Sequence, residues 1–196
     1  MSINALLIGC GNIGGLYDFE NKSIQTHAKA LSRSNWIDNV DVFDIDIELI
    51  KKICRKYNFT GLNKSQKIDY KNYDIVCIST PTDTHYNYLK LCFKYNVPLI
   101  VCEKPLSNSI KELNNIKSLY ESCESRVVVN YFRRFLSSYS KLKSEIDFET
   151  KNLKKIKIKY CKGFLNNCGH AFNICLLYTS DAADEGLGVD LGGRRI

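Results

Sequence analysis

The sequence predicts an α/β protein with a doubly wound parallel sheet, followed by the beginning of a second α+β domain. Short unbroken apolar runs alternate with longer segments whose apolar residues recur at helical spacing. Parallel strands that are covered by helices on both faces produce this alternation. The first apolar run also ends directly in a glycine-rich turn at Gly9, which is typical of the opening strand of such sheets.

The apolar runs give the strands and the helical periodicity gives the elements between them. Thr26 is a suitable cap for the first helix, and Ser109 with Glu112 forms a capping box for the last. Strands are predicted at residues 6–8, 40–43, 74–79, 99–102 and 126–129. Helices are predicted at about residues 26–34, 47–57, 82–96 and 110–120.

The composition excludes several classes of partner. Hydrophobic residues make up 44% and charged residues 25% of the 196 residues, as in ordinary globular proteins. No apolar stretch reaches the roughly 20 residues of a membrane span, so we expect no membrane partner. The net charge is +7, but the lysines are scattered and form no basic block. We therefore expect no nucleic-acid partner.

The nine cysteines indicate a reducing compartment. Their number is odd, no two are spaced C-x-x-C, and several lie inside apolar runs, where a thiol packs as a small hydrophobic group. These features predict a cytoplasmic protein without disulfides. No cluster of His and Cys has metal-ligand spacing, so we expect no metal site.

The turn after the first strand fits the fingerprint of a Rossmann-type dinucleotide-binding domain. In Gly9-Cys10-Gly11-Asn12-Ile13-Gly14, the first glycine allows the tight turn and the second admits a pyrophosphate. Gly14 permits close packing of the next segment, and Asn12 and Ile13 complete the predicted cradle. Residues 17–25 are polar, so the helix starts late and its dipole is expected to be offset from the phosphates. The alternative is a glycine turn without a ligand.

An acid at the end of the second strand suggests which dinucleotide is bound. Asp44 closes that strand, where a carboxylate accepts hydrogen bonds from the ribose hydroxyls. A carboxylate there repels a 2′-phosphate, so NAD is favoured over NADP. Asp46 is the competing candidate, although it also fits a helix N-cap.

The third and fourth strands end in further candidates. Thr80 and Pro81 follow the third strand and could line the cofactor, and His85 lies in the first turn of the next helix, facing either the ligand or the core.

Lys104, in Glu103-Lys104-Pro105, follows the fourth strand. An ammonium at a buried strand end is costly unless it is used. Beside the cationic oxidised nicotinamide a neutral amine is favoured, which could accept the proton of a substrate hydroxyl. The alternative is a surface lysine paired with Glu103.

Four motifs occur in one order: the glycine fingerprint, Ser79-Thr80-Pro81 with His85 four residues later, Glu103-Lys104-Pro105, and Arg133-Arg134-Phe135. In order and separation the sequence resembles the glucose–fructose oxidoreductase and inositol dehydrogenase family (Gfo/Idh/MocA) over about residues 3–174. The resemblance implies a Rossmann domain followed by a mainly antiparallel α/β domain. It also implies NAD(P)-linked oxidation or reduction of sugars, cyclitols and related polyols.

The resemblance also assigns roles to residues. It implies that Lys104 and His170 are catalytic, that Glu103 belongs to the cofactor site, and that Arg134 and Asn166 face the substrate. The family usually has an aspartate four residues before the histidine, but this sequence has Asn166, which cannot transfer a proton. Proton transfer would then fall to Lys104 and His170. The alternative for His170 is a structural histidine.

The sequence divides into three predicted segments. Residues 1–125 form the dinucleotide-binding domain, 126–174 begin a substrate domain, and 175–196 resemble a translated sequencing adapter. After Ile174 there is no Lys or Asn, and the only Ile is the last residue. We therefore expect a truncated reading frame whose product is inactive by itself, and a homo-oligomer only for the longer protein. The alternative for the last segment is a natural flexible terminus.

These observations favour an NAD(P)-dependent oxidoreductase acting on a small sugar, cyclitol or sugar derivative. A non-catalytic, regulatory dinucleotide-binding module is the alternative, because the family's acidic residue is missing at position 166. A methyltransferase shares the glycine loop and the acid, but methyl transfer gives no role to Lys104.

Overall fold

The computed structural model describes residues 2–63, 67–138, 141, 169–171 and 173. The chain divides into two compact units, Met1–Val128 and Val129–Ile196. The three predicted segments, with boundaries after residues 125 and 174, stay a prediction. Residues 175–196 lie outside the described residues, and so does Asn166.

The elements alternate as the sequence predicts. The strands are β1 (Asn4–Ile8), β2 (Asn39–Phe43), β3 (Thr60–Gly61), β4 (Ile75–Ile78), β5 (Leu99–Cys102) and β6 (Arg126–Val129). The α-helices are α1 (His27–Arg33), α2 (Ile47–Tyr57), α3 (Thr82–Lys94) and α4 (Ile110–Glu121). A short π-helical segment covers Asn12–Leu16, and 3-10 turns cover Tyr70–Asn72 and Phe132–Phe135.

The six strands form one sheet in the order β3-β2-β1-β4-β5-β6. The pairings of β1 with β2 and β4, of β2 with β3, and of β4 with β5 are parallel. The chain winds outward from β1 in both directions, so the predicted doubly wound parallel sheet is confirmed. Ligands of such sheets bind beyond the carboxyl ends of the strands, where the strand order reverses.

Alternate side chains of the strands β1, β4 and β5 supply the two hydrophobic cores of the sheet. Leu6 and Ile8 of β1 belong to one core, while Ala5 and Leu7 belong to the other. All four are fully buried. Both faces of β1 are therefore covered, which explains its unbroken apolar sequence.

The helices begin where the sequence places their caps. The Thr26 hydroxyl accepts a hydrogen bond from Lys29 N, and the Asp46 carboxylate accepts one from Glu48 N. The Ser109 hydroxyl accepts one from Glu112 N at 3.4 Å. These side chains replace partners that the first helical N–H groups lack.

Sterics fix the glycine turn after β1. Gly9 has φ +95°, which L side chains rarely adopt, and a Cβ at Gly14 would lie 2.2 Å from Gly9 O. Position 11 differs, because a Cβ there would meet nothing within 4 Å. Gly14 is therefore required by the fold, while Gly11 leaves open space above the turn.

The segment between the glycine turn and α1 is anchored by Asp18. Its buried carboxylate accepts hydrogen bonds from Gln25 N at 2.6 Å, Thr26 N at 2.9 Å and the Thr26 hydroxyl at 2.8 Å. The buried Lys29 ammonium binds the backbone carbonyls of Asp18 and Asn21. Burial alone would raise the pKa of Asp18, but these hydrogen bonds and the Lys29 charge hold it below 3.8.

Replacing Gly14 by alanine is expected to lower the free energy of unfolding by about 1–3 kcal/mol, because the new methyl meets backbone atoms that cannot give way. Gly11→Ala is the matched control and is expected to change stability by less than about 0.5 kcal/mol. Urea unfolding followed by circular dichroism measures both. Equal losses in the two variants would contradict the steric assignment.

Asp18→Asn is expected to destabilise the protein at neutral pH by about 1–3 kcal/mol, because it removes a charged acceptor of three hydrogen bonds. The folded pKa lies below the ordinary 3.8, so this stabilisation is present above about pH 4 and is lost as the pH falls through the folded value. The difference between wild type and variant should therefore shrink in acid. Thermal unfolding between pH 2.5 and 7 measures it, with the exposed Glu20→Gln as control; a constant difference would contradict the argument.

Candidate functional site

Four strands end in register at one edge of the sheet. Phe43, Ile8, Ile78 and Cys102 are successive partners across β2, β1, β4 and β5. The next residues extend the ladder, because the N–H groups of Gly9, Ser79 and Glu103 donate to the carbonyls of Phe43, Ile8 and Ile78. We call the row formed by Asp44, Gly9, Ser79 and Glu103 the edge row. Neighbouring strands lie about 4.8 Å apart, so the row brings the predicted motifs to one edge.

The glycine turn presents open backbone at this edge. The short helical segment Asn12–Leu16 follows Gly11 directly, with Asn12 exposed and Ile13 half-buried. The first N–H groups of a helical segment lack partners within it and attract anions. The sequence prediction that the first α-helix starts late is confirmed, because α1 begins at His27. The helical N–H groups nearest the glycine turn therefore belong to the segment Asn12–Leu16 and not to α1.

Asp44 is attached to the glycine turn. One carboxylate oxygen accepts a hydrogen bond from Cys10 N at 2.5 Å, and the other accepts one from Asp46 N at 2.8 Å. A carboxylate can accept about four hydrogen bonds, so this half-buried group keeps capacity for a further donor. The side chain of Asp46, the competing candidate for the ribose, caps α2 by accepting a hydrogen bond from Glu48 N.

The β4 end is joined to the glycine turn by Ser79. Its buried hydroxyl donates to Gly9 O at 2.8 Å and approaches Ile8 O at 3.1 Å. Thr80 is half-buried and Pro81 is exposed at the start of α3. The Thr80 hydroxyl accepts a hydrogen bond from the Thr84 hydroxyl at 2.7 Å. Thr80 and Pro81 thus lie next to the glycine turn at the carboxyl edge.

His85 is buried rather than open to solvent. Its side chain is 1% exposed, and its two ring nitrogens lie 3.1 Å from Pro105 O and 2.9 Å from Thr80 O. The histidine therefore connects the loop after β4 with the loop after β5. Of the two orientations left open by the sequence, the structure has the ring directed at backbone carbonyls.

Glu103 forms a buried pair with His27. Its Oε1 lies 2.9 Å from His27 Nε2, and its Oε2 accepts a hydrogen bond from Lys104 N at 3.3 Å. Burial alone would lower the pKa of His27, but contacts with the Cys77 sulfur and the Glu103 carboxylate raise it to about 10. His27 and Glu103 of the edge row therefore form a buried, hydrogen-bonded pair.

Lys104 is half-buried at the end of β5, and its peptide bond to Pro105 is cis. The residue follows Glu103 of the edge row directly. Its position at the carboxyl edge, two strands from the glycine turn, agrees with the order of β1, β4 and β5. An amine and a candidate phosphate cradle are thus carried by one sheet edge.

The second unit contains the other candidates. His170 is buried, with the rings of Tyr131 and Phe132 edge-on at 5.7 and 5.4 Å. Arg134 lies in the Phe132–Phe135 turn, with its guanidinium 5.8 Å from the Phe135 ring. The structure describes these residues within their own unit, and Asn166 lies outside the described residues. Their substrate and catalytic roles stay predictions.

His27 and Ser79 are the residues of this site that sequence reasoning missed as contributors. Ser79 stood within a motif, but its bond to Gly9 depends on pairing between β1 and β4. His27 follows the Thr26 cap, and its partner Glu103 is 76 residues away. The available signal was a histidine at the first position of α1, directly after the Thr26 cap.

Membrane spans and metal-binding clusters are both absent from the described part of the chain. No helix there is long and apolar enough to cross a bilayer. Within the same residues, no three His, Cys, Asp or Glu side chains are grouped so that they could hold a metal ion.

Comparison with known proteins agrees with this geometry. The family model GFO_IDH_MocA, described as an oxidoreductase family with an NAD-binding Rossmann fold, matches residues 3–131. Inositol 2-dehydrogenase of Rhodococcus jostii (strain RHA1) is 35% identical over 75 residues, which are 38% of this chain and 20% of that protein.

Solved structures share the fold. GenD2 from gentamicin A biosynthesis, in complex with NAD, has a TM-score of 0.71 at 13% identity, over 90% of this chain and 53% of that one. KijD10, a 3-ketoreductase from Actinomadura kijaniata solved with NADP and TDP-benzene, has a TM-score of 0.61 at 12% identity, over 76% and 43%. The chain thus spans about half the length of such structures. The match over residues 3–131 and the sheet edge described above place the chain in the GFO_IDH_MocA oxidoreductase family, which has an NAD-binding Rossmann fold.

Proposed function

We propose that the chain is the cofactor-binding part of an NAD-dependent oxidoreductase that acts on a hydroxyl or carbonyl carbon of a sugar, cyclitol or sugar derivative. The observation that carries the proposal is the shared edge of β1 and β5. The glycine turn and Lys104 both follow strands that end in register there. A dinucleotide held by the turn extends along this edge toward the lysine.

The residues of the edge fit a dinucleotide. Gly11 leaves space within 4 Å of the position a Cβ would take, so a pyrophosphate can approach the backbone of Asn12 and Ile13. Asp44 keeps free acceptor capacity for ribose hydroxyls, and Thr80 and Pro81 line the same edge. NAD, when bound, supplies the acceptor or donor of a hydride.

The chain supplies the proton chemistry. Lys104 takes the proton of the substrate hydroxyl while hydride leaves the same carbon, and it returns the proton in the reverse direction. His170 is proposed as the second proton-transfer residue, and Arg134 and Asn166 as substrate contacts. Glu103 acts through its hydrogen bonds to His27 and to the Lys104 backbone.

NAD is favoured over NADP by the charge of Asp44. GenD2 was solved with NAD and KijD10 with NADP, and at 13% and 12% identity they show the fold alone. In this chain the carboxylate at the end of β2 repels a 2′-phosphate and accepts ribose hydroxyls. Sugar or cyclitol substrates are proposed from the family resemblance and from the inositol dehydrogenase relative.

A non-catalytic dinucleotide-binding module is the second candidate. One observation favours it: residue 166 is an asparagine where the family usually has an aspartate, and an amide cannot transfer a proton. Dinucleotide binding without turnover, with Lys104 intact, would support this candidate.

A cytoplasmic location is proposed because the six cysteines described in the structure are free thiols.

Asp44→Asn is expected to lower NADH affinity by roughly 10- to 150-fold, because a charged acceptor of ribose hydroxyls is worth about 1.5–3 kcal/mol. The same change should reduce the preference for NADH over NADPH, because it removes the repulsion of the 2′-phosphate. Calorimetric titration of the 196-residue chain with both cofactors measures the ratio.

Asp46→Asn is the matched control for this experiment. Asp46 lies two residues further on and caps α2, so its replacement should affect stability and leave the cofactor ratio unchanged. Equal changes of the ratio in both variants, or a wild-type preference for NADPH, would contradict the role of Asp44.

Lys104→Met is expected to reduce kcat by about 10²–10⁴-fold while NADH affinity changes little, because general acid–base catalysis contributes that much to rate. Reduction of NAD with a panel of polyols, measured at the nicotinamide absorbance, tests this in the longest reading frame that contains the chain. The control is Asn108→Ala, which replaces a nearby exposed residue and should leave kcat unchanged. Full turnover by Lys104→Met would disprove the proposed proton transfer.

A further inference from the structure

We infer that two buried histidines, His27 and His85, are positioning residues that hold Lys104 at the cofactor edge of the sheet. The inference rests on the proposed function of Lys104. It adds two residues that belong to other elements, since His27 begins α1 and His85 lies in the first turn of α3.

His27 holds the residue before the lysine. Its Nε2 lies 2.9 Å from Glu103 Oε1, and the other oxygen of that carboxylate accepts a hydrogen bond from Lys104 N. His27 is 9% and Glu103 7% exposed, so neither group can exchange this contact for water without moving. The carboxylate therefore transmits the position of α1 to the lysine backbone.

His85 holds the residue after the lysine. Its Nδ1 lies 3.1 Å from Pro105 O, while its Nε2 lies 2.9 Å from Thr80 O. A neutral imidazole donates one hydrogen bond and an imidazolium donates two, so the ring can tie the two loops together through either or both carbonyls. The ring is fully buried, so its nitrogens cannot exchange these carbonyls for water without moving.

The two contacts fix the segment Glu103–Pro105 from both ends. His27 acts through the side-chain carboxylate of Glu103, and His85 acts through the backbone carbonyl of Pro105. The two histidines belong to helices on different sides of the topological switch at β1. Catalytic groups depend on such supporting hydrogen bonds, because displacement by about 1 Å can cost 10²-fold in rate. Loss of either histidine should therefore move Lys104 without removing it.

The charge of the nicotinamide gives a readout that reports on Lys104 without turnover. The oxidised ring is cationic and the reduced ring is neutral, so a nearby ammonium weakens NAD⁺ binding relative to NADH. The quantity to measure is the dissociation constant of NAD⁺ divided by that of NADH. A histidine that serves the fold alone would change both constants together and leave their ratio unchanged.

The experiment is a double-mutant cycle on the 196-residue chain, with both constants measured by calorimetric titration. Lys104→Met is expected to lower the ratio by roughly tenfold, the effect of one partly screened charge. His27→Gln and His85→Gln are each expected to lower it by about threefold or more, and to have no further effect when Lys104 is already methionine. Tyr73→Phe is the control: it removes a hydrogen bond to Asp41, away from the edge row, and should leave the ratio unchanged.

The outcomes separate this inference from the proposed function. If wild type binds neither dinucleotide, or if Lys104→Met leaves the ratio unchanged, the proposed function fails and the inference fails with it. If Lys104→Met lowers the ratio but the histidine variants do not, the inference alone is overturned. It is also overturned if the histidine variants lower the ratio equally with methionine at position 104, because His27 would then act through its own charge.

Folding of the variants is checked by circular dichroism before titration. If His27→Gln does not fold, Glu103→Gln tests the same link, because it keeps the side-chain volume and removes the carboxylate that joins His27 to the Lys104 backbone. The expected result is again coupling with Lys104→Met, and strict additivity overturns the inference. His85→Asn replaces His85→Gln in the same way.

Discussion

The site depends on one constraint, the alignment of four strand ends in a parallel sheet. The last residues of these strands, β2, β1, β4 and β5, are paired with one another. The hydrogen bonds between the strands continue for one more residue, at Gly9, Ser79 and Glu103. Because neighbouring strands are held about 4.8 Å apart, residues as distant in sequence as Ile8 and Ser79, 71 positions apart, become neighbours. A slip of one residue in β5 would turn Glu103 to the opposite face and separate it from His27.

Buried polar groups hold the segments that the hydrogen bonds of the sheet do not reach. The start of α1 is held twice, by Asp18 through Thr26 and by Glu103 through His27. Buried ion pairs contribute little net stability, because desolvation offsets much of the attraction, but removal of one partner is strongly destabilising. Their consequence here is geometric: they join the loop after the glycine turn, the start of α1 and the segment after β5.

Much of the fold could be predicted because its determinants are local. The strands at 99–102 and 126–129 and the caps Thr26 and Ser109 follow from apolar runs and side-chain chemistry within a few residues. β3 has two exposed residues, Thr60 and Gly61, and carries no apolar signal. The pairing of His27 with Glu103 and the contacts of His85 depend on sheet order, so local patterns indicate the candidates without indicating which of them meet.

Asp44 shows why cofactor choice and fold are connected in this chain. The carboxylate that is expected to bind ribose also accepts a hydrogen bond from Cys10 N inside the glycine turn. Replacement by a neutral or basic residue would remove the repulsion of a 2′-phosphate, but it would also leave that N–H without its charged acceptor. The turn would then loosen where we propose that a pyrophosphate binds. Replacement of Asp44 is therefore expected to change two properties together: it lowers the discrimination against a 2′-phosphate, and it weakens the turn that either dinucleotide would use.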